Sequence, residues 1–507
     1  MISIGNASLS KFIDFSEIND LHQIFDQLRD LEKIASTLPL NELQTLIEYK
    51  YLQAEYNLRL GRLETAFLAF DEVKSLSIVP DHLAFYFLAQ IGRARVKFDQ
   101  AKYYEALNYI EESEYFFSQL DSELIHVISE YLSIVFHLKG EVYSQLGDMD
   151  SALDYFEKSL SYGNMEGDQI HISDNLLSIG HVYRKQGDLT NASNYYQQAL
   201  KYYRVLNKRQ KEAQVLNHIA IIHRIRGDIT QARENLENSI QLYRKYRNER
   251  SIVDPLENLG FVTAIEGDLA IGYEMLLNTL DRRRRFGNSE EIGVAIFYLI
   301  RVAMAMKRID EIPPLLEEFD HLVKSNQQNL ILITYWKLTN ALVLKNGGRL
   351  KDIVEAQDIL QEILASGIVN HELMVITTVN LCEILIYELS FNEDSETFEE
   401  AKMLVNSILK IAQQQNSITL LIEGFIIKSK FAILEGDTHL ANHLLIQAKI
   451  NAEERGLGNQ IRKISEEQEA LELLIEKWVE MSQQSISISE KIQESRLLDY
   501  IRELHKL

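Results

Sequence analysis

The 507-residue chain has a single cysteine, Cys382, and only five prolines. One cysteine cannot form a disulfide within the chain, which fits a reducing compartment, so we expect a cytoplasmic protein. Scarce proline favours long helices, because proline removes a backbone donor and breaks a helix interior. The first residues lack a basic stretch followed by an apolar run, so we expect no signal peptide.

Long apolar runs and positive charge are also scarce. The most apolar stretch, residues 329–344, is interrupted by Lys337 and is too short and too polar to cross a bilayer, so we expect no membrane partner. Lysine and arginine number 52 against 75 aspartate and glutamate residues, which gives a formal net charge of −23. Nucleic-acid binding depends on neutralising phosphates with Lys and Arg, so this balance argues against a nucleic-acid partner.

Motifs that carry enzyme chemistry are missing from the sequence. It contains no glycine-rich loop followed by Lys-Ser or Lys-Thr, and no nucleophile elbow. His371 and Glu372 resemble the start of a zinc-binding helix, but Val375 occupies the position of the second histidine. We therefore predict that the protein is not an enzyme and has no catalytic residue, no metal and no cofactor.

A repeat of 40 residues is present instead. A Gly-Asp pair begins at Gly147, Gly187, Gly227 and Gly267. Four further positions keep this step, one lying seven residues before each glycine and three lying five, nine and twelve residues after it. In the second copy these four positions hold Gly180, Ala192, Tyr196 and Ala199. Such regularity through four copies indicates a repeat protein.

Each repeated position has a physical reason. The glycine lies between two helical patterns, where a left-handed residue ends the first helix and a side chain would cost roughly 1 kcal/mol or more. The aspartate caps the second helix by accepting from its unpaired N–H groups. Small residues such as Gly180 let the helices approach closely, and large ones such as Tyr196 fill the space between turns. Each unit is thus an antiparallel helical hairpin that buries its apolar face by stacking.

This pattern resembles the tetratricopeptide repeat (TPR) family. The residues of the second copy that match its spacing are Leu176, Ile179, Gly180, Tyr183, Gly187, Ala192, Tyr196 and Ala199. The usual unit is shorter, and the 40-residue version is similar to the repeats of kinesin light chain and of many archaeal TPR proteins. The resemblance is specific for residues 136–280. It implies an all-α, right-handed superhelical solenoid of antiparallel helical hairpins.

The repeat weakens toward both ends, which suggests five segments. We predict N-terminal capping helices (1–40), degenerate TPR-like hairpins (41–130), four well-defined TPR units (131–290), degenerate hairpins (291–458) and C-terminal helices (459–507). In the last segment, the apolar stripe from Ile461 to Met481 is either a helix that caps the last hairpin or a dimerising coiled coil. The heptads are few and interrupted, so a cap and a monomer are favoured.

The concave face of the first helices is the binding surface that the resemblance implies, because it lines the peptide groove of TPR proteins. The family's register gives eight candidate peptide-binding residues: His181, Arg184, Lys185, Asn217, His218, Arg224, Asn258 and Arg301. In peptide-binding relatives, asparagines at such positions hold the peptide backbone, since an amide both donates and accepts. The basic residues would then face acidic side chains.

The concave face leads to two functional hypotheses. The first is a protein–protein interaction scaffold that binds an extended or helical segment of another protein, expected to be acidic, in the concave groove. The alternative is a regulatory sensor that binds a small peptide, changes its superhelical pitch and passes the change through the C-terminal helix to a partner. Single-stranded RNA binding is disfavoured by the charge and the period. A solvated polar face without a ligand is the competing interpretation of the groove.

Four consecutive arginines, Arg282 to Arg285, form the densest positive run. This run could bind an acidic motif or a phosphate. The favoured interpretation places it in the last turn of a second helix, where arginine suits the negative end of the helix dipole.

Overall fold

The computed structural model describes residues 43–78, 82–118, 131–166, 169–246, 248–367, 370–391, 394–454, 461, 464–473 and 488–504. The predicted N-terminal caps, residues 1–40, lie outside these residues, as do Trp478 and Met481 of the C-terminal stripe. Every regular element in the described part is a helix, so the all-α prediction is confirmed. None of these helices has the length and apolar content needed to cross a bilayer.

Twenty of the described helices pair as ten hairpins. The first five hairpins are α1–α2 (Leu43–Arg59, Leu63–Leu76), α3–α4 (Leu83–Asp99, Tyr103–Ser118), α5–α6 (Leu132–Leu146, Met149–Glu166), α7–α8 (Gln169–Lys185, Leu189–Val205) and α9–α10 (Arg209–Arg226, Ile229–Lys245). The next five are α11–α12 (Val253–Ile265, Leu269–Phe286), α13–α14 (Ser289–Ala305, Ile312–Ser325), α15–α16 (Leu330–Gly347, Leu350–Ala365), α17–α18 (His371–Leu389, Ser395–Gln415) and α19–α20 (Ile418–Glu435, Thr438–Glu454). Two short helices follow, α21 (Ile488–Glu494) and α22 (Leu497–Leu504).

The Gly-Asp pair ends one helix and starts the next, as the sequence predicts. The four repeated glycines have φ angles between 84° and 107°, the left-handed region that strains a residue with a side chain. Asp188 caps α8, because its Oδ1 accepts a hydrogen bond from the backbone N–H of Asn191 at 3.0 Å. Lys307 lies 40 residues after the last of these glycines and keeps the left-handed conformation, with φ 59°.

Close contact between the helices of a hairpin explains the small residues. A Cβ atom at Gly180 would lie 2.6 Å from the ring of Tyr196, so a side chain there would displace the tyrosine. Tyr196 is fully buried between α7 and α8, together with Ala192 and Ala199. The repeated sequence positions are therefore the contact points of the hairpin.

The hairpins wind into a superhelix that meets itself after five units. Helices α7, α8 and α9 contact α17, α18 and α19, respectively. The Ser417 hydroxyl donates to the backbone carbonyl of Ile225, 192 residues away, at 3.0 Å. Nearer the N-terminus, the Tyr103 hydroxyl donates to the Glu290 carboxylate at 2.8 Å, again five hairpins apart. The first helices therefore face an interior bounded by adjacent superhelical turns.

The C-terminal helices pack on the last two hairpins. Helix α22 contacts α17 and α19, and its residues Leu497 and Tyr500 are buried. The Tyr500 hydroxyl donates to the Glu423 carboxylate of α19, and the ammonium group of Lys430 lies 5.2 Å from the centre of the Tyr500 ring. A capping segment would make such contacts, and the choice between a cap and a coiled coil, like the monomeric state, stays a prediction.

The arginine run ties neighbouring hairpins together. Arg283 is buried and pairs with Glu257 of α11 at 3.3 Å and with Glu291 of α13 at 3.4 Å. Arg284 binds Glu318 of α14 at 2.7 Å. The run does end a second helix, as favoured from the sequence, but its arginines also serve as ionic links between successive units.

Candidate functional site

The first helices from α9 to α19 line a partly open cavity of about 1810 Å³ inside the superhelix, which we call the central cavity. Its apolar wall includes Phe261, Met304, Leu342, Val375 and Ile427, which come from five different first helices. Pockets that hold drug-sized molecules measure roughly 300–1,000 Å³. The central cavity is thus large enough for a short peptide.

Three arginines surround one carboxylate where this cavity meets the neighbouring turn. Arg184 of α7, Arg224 of α9 and Arg301 of α13, the arginine cluster, all act electrostatically on Glu372 of α17. Arg224 Nη2 lies 2.9 Å from Glu372 Oε1, and the two side chains are only 9% and 17% exposed. Burial opposes ionisation of Glu372, but the three arginines outweigh it and hold the pKa of this carboxyl below its usual value.

Aromatic rings hold the guanidinium groups of the cluster in place. The guanidinium of Arg301 lies 4.9 Å from the ring centre of Phe261 and 5.4 Å from that of Phe297. Arg224 lies 5.4 Å from the same Phe261 ring. Such cation–π contacts are attractive, and more strongly so where water is excluded. They orient the arginines without neutralising them.

Hydrogen-bond donors of the cluster are left available. Within the described residues, Nε of Arg184 and Nε of Arg224 have no hydrogen-bond partner. Glu372 is the carboxylate that all three arginines share, so this group carries more positive than negative charge. An anionic ligand is the chemistry that such a surplus favours.

A second polar patch also lines the central cavity. Lys345 of α15 binds the Glu383 carboxylate of α17 at 2.5 Å, and its ammonium group also donates to Asn380. All three residues line the central cavity. This patch is electrically balanced, in contrast to the arginine cluster.

The eight predicted site residues fall into three groups. Arg224 and Arg301 line the central cavity, and Arg184 lies beside it in the cluster. The rings of His181 and His218 meet at 4.1 Å in a T-shaped pair. Burial and the nearby Arg184 lower the pKa of His218 to about 3, and burial followed by the charge on His218 lowers that of His181. Both histidines are therefore neutral near pH 7.

The remaining three predicted residues bind parts of the protein itself. Lys185 Nζ donates to the backbone carbonyl of Ser144 at 3.0 Å and to Gln145 Oε1 at 2.8 Å, while burial lowers its pKa to about 8. Asn258 Nδ2 donates to Asn217 Oδ1 at 3.0 Å, which links two successive first helices. A peptide backbone would have to replace this bond, and the peptide-binding role of the eight residues stays a prediction.

Sequence reasoning missed the wall that α15 and α17 contribute. Glu372, Lys345 and Glu383 belong to hairpins in which the Gly-Asp register has faded. One signal was present, because Glu383 interrupts the apolar run of residues 379–389. A charge in a buried helix is costly without a partner, so its position pointed to a polar contact.

Comparison with known proteins supports the repeat architecture. The tetratricopeptide repeat family model matches residues 131–205 and 171–245. These spans fall within the four units in which the 40-residue period is strongest. No curated protein sequence matches the chain.

Solved structures resemble the chain mainly in fold. A Rap protein complexed with competence and sporulation factor is 17% identical, with a TM-score of 0.51, and the match covers 73% of this chain and 98% of that one. A signal transduction ATPase with a tetratricopeptide repeat sensor from Pyrococcus horikoshii is 14% identical, with a TM-score of 0.40, covering 69% and 54%. Kinesin light chain-like repeats from Podosopora anserina are 16% identical, with a TM-score of 0.30, covering 39% and 98%.

Proposed function

We propose that the chain, in which the tetratricopeptide repeat model matches residues 131–205 and 171–245 and whose superhelix contains the central cavity, is a cytoplasmic, non-enzymatic regulatory sensor. It binds a short peptide in the central cavity and changes its superhelical pitch. The observation that carries this proposal is the contact between adjacent turns of the superhelix. Contacts of α7 with α17 and of α9 with α19 bring adjacent turns together, so the concave face is bounded on this side by the neighbouring turn.

The contacts between turns provide a route from binding to pitch. They include the Arg224–Glu372 ion pair and the hydrogen bond from Ser417 to Ile225. The pitch of a solenoid is the sum of small rotations between neighbouring units, so a few such contacts can select one pitch. A ligand changes the pitch only if it binds one arrangement more tightly than the other. A peptide that contacts both turns meets this condition.

The Rap protein supports the proposal by analogy. It was solved in complex with competence and sporulation factor, and its fold is similar over most of both chains. An analogy of fold raises the expectation of ligand binding but assigns no residue.

The scaffold hypothesis fits the geometry less well. An extended or helical segment of a partner protein needs an accessible concave face. Arg224, which lies at the centre of the predicted groove, is only 9% exposed. A segment of a larger folded partner would have to enter the central cavity to reach the predicted residues that line it, Arg224 and Arg301.

Peptide binding with a change of shape tests the proposal. The purified full chain is mixed with a pool of random-sequence peptides, bound species are identified by native mass spectrometry, and the hits are examined by solution X-ray scattering. We expect bound peptides to change the radius of gyration. Peptides that bind without any change of shape would support the scaffold, and a chain that retains no peptide would refute the sensor.

A blocked cavity supplies the matched control. Val375 lines the central cavity and Met403 lies exposed on α18. Val375→Trp should fill part of the cavity and abolish capture, whereas Met403→Trp adds the same side chain outside and should leave capture unchanged. Equal loss in both variants would place the binding surface elsewhere.

A further inference from the structure

We propose that the arginine cluster is the binding site for a carboxylate group of the peptide, and that Glu372 occupies this site until the peptide arrives. The inference rests on the proposed function and adds the chemistry of the ligand and the switch that it operates. Glu372 is in this sense an internal substitute for the ligand.

The geometry gives Glu372 two roles at once. Its Oε1 atom lies 2.9 Å from Arg224 Nη2, where a ligand carboxylate would bind. The two residues are 148 positions apart and belong to adjacent turns, α9 and α17. The same ion pair therefore occupies the arginine site and ties the turns together, so that replacing Glu372 releases α17 from α9.

The charges explain why a ligand can compete with a group that is already in place. The positive charges of three guanidinium groups act on the single carboxylate of Glu372, so a second carboxylate would also be attracted to the cluster. Each guanidinium carries five N–H donors in a planar fork that matches a carboxylate. Nε of Arg184 and Nε of Arg224 lack partners in the described part of the chain. An incoming carboxylate thus finds donors that Glu372 leaves unused.

A carboxylate fits the cluster better than a phosphate does, because the resident group is itself a planar carboxylate of matching size. The source of the carboxylate is the C-terminus or an acidic side chain of the peptide. Guanidinium groups also bind phosphate, so inorganic phosphate serves as the competing probe in the test.

Chemical rescue tests the inference without any knowledge of the peptide. Glu372→Ala removes the carboxylate from the arginine cluster and should lower the thermal unfolding midpoint of the full chain. Acetate, compared with chloride at equal ionic strength, should restore about 2 °C or more of that midpoint. Acetamide has the same shape without the charge and should restore nothing. Equal effects of acetate and chloride would overturn the inference, and so would stronger rescue by phosphate than by acetate.

Two further variants control for nonspecific salt effects and for a failure of Glu372→Ala to fold. Glu362→Ala breaks the Lys337–Glu362 pair, whose carboxylate side is 62% exposed, and should respond to acetate and chloride alike. If Glu372→Ala does not fold, Glu372→Gln keeps the shape of the side chain. Acetate should stabilise Glu372→Gln more than the wild type, and an equal response would contradict the site.

The release of α17 from α9 is tested separately, by measuring the radius of gyration. Without ligand, Glu372→Gln should show a larger radius of gyration than the wild type, because the tie between turns is weaker. An unchanged radius would refute the release of α17. Because acetate replaces the peptide, the two proposals fail separately: a captured peptide without acetate rescue refutes only the carboxylate site, and acetate rescue without any captured peptide refutes only the sensor.

Discussion

The regular hairpins α5–α12 and the degenerate hairpins α13–α20 build one solenoid with different local chemistry. In the regular region, glycine occupies the left-handed position at every turn within a hairpin. In the degenerate region, Gly348 and Gly436 keep the left-handed glycine, whereas Lys307 takes that conformation with φ 59° and Ser390 ends α17 with a right-handed φ of −70°. The hairpin forms at the two turns that have lost the glycine, so this residue favours the turn but is not required for it.

Side-chain caps are a second feature of the degenerate region. Four first helices of the degenerate region begin with a side chain that accepts from the backbone: Asn288, Asn329, Asn370 and Ser417. At Asn288 the cap is reciprocal, since Glu291 also accepts from the Asn288 backbone. Each such cap contributes about 1 kcal/mol to helix stability. All four first helices of the degenerate region thus start at a side-chain cap, including those whose hairpins keep a left-handed glycine.

The cores differ as well. One continuous apolar cluster runs from Phe261 to Tyr500, whereas the regular hairpins contain smaller separate clusters, such as the one around Tyr196. In a solenoid, each interface couples a unit mainly to its neighbours. A continuous core should make the degenerate region unfold as one block, and separate cores should let the regular region open unit by unit.

The largest expected effect tests this difference in cooperativity. Phe297 of the continuous core and Phe156 of the regular region are both 1% exposed. Replacing either with alanine should cost about 3–5 kcal/mol through lost burial and a cavity. Hydrogen exchange should accelerate across α13–α20 in Phe297→Ala, but only across α5–α8 in Phe156→Ala. Equally local exchange in both variants would mean that the continuous core gives no added cooperativity.

The next effect is a pH dependence that originates in the regular region. The pKa of His218 is about 3 in the folded protein and about 6.5 when unfolded. Between these values the unfolded chain binds a proton that the folded chain does not, so stability is lost as the pH falls below 6.5. The loss reaches up to about 2 kcal/mol at pH 5 for this one group.

Denaturant unfolding at pH 7 and pH 5 measures this loss. His218→Gln should reduce the difference in unfolding free energy between the two pH values. Arg184, whose charge opposes protonation of this ring, and His181, which packs against it, are both retained in the variant. If the pH dependence of His218→Gln equals that of the wild type, His218 is solvated and its pKa is not lowered.

The fold was more predictable from the sequence than the site. The Gly-Asp pairs reveal the hairpins because the turn that they form depends only on residues close in sequence. The 40-residue register then predicts that Arg224 and Arg301 lie on the concave face. Glu372 could not be paired with Arg224 in this way, since their contact depends on the pitch. Pitch sums small rotations over five hairpins, and no local pattern encodes that sum.

A smaller effect tests the turn glycine itself. Gly187→Ala places a Cβ atom 2.6 Å from the ring of His371, on the neighbouring superhelical turn, at a backbone φ of 84°. We expect a cost of roughly 1–3 kcal/mol from the strained conformation, together with a weaker contact between α7 and α17. Scattering should show an expanded chain. A destabilised variant of unchanged size would assign the whole cost to the hairpin turn.

The smallest effect should have the opposite sign. Lys307 holds a left-handed conformation, which costs a residue with a side chain roughly 1–2 kcal/mol but costs glycine little. Lys307→Gly restores the turn residue of the regular units and removes this strain. Glycine also has more conformational entropy in the unfolded chain, which offsets part of the gain, so we expect a net stabilisation of a few tenths of a kcal/mol to about 1 kcal/mol. Lys307→Ala is the matched control, since it removes the same charge and keeps the strain, and it should leave stability nearly unchanged. If both variants are equally stable, the strain at Lys307 is already relieved by its surroundings, and the degenerate turn is then as well adapted as the regular one.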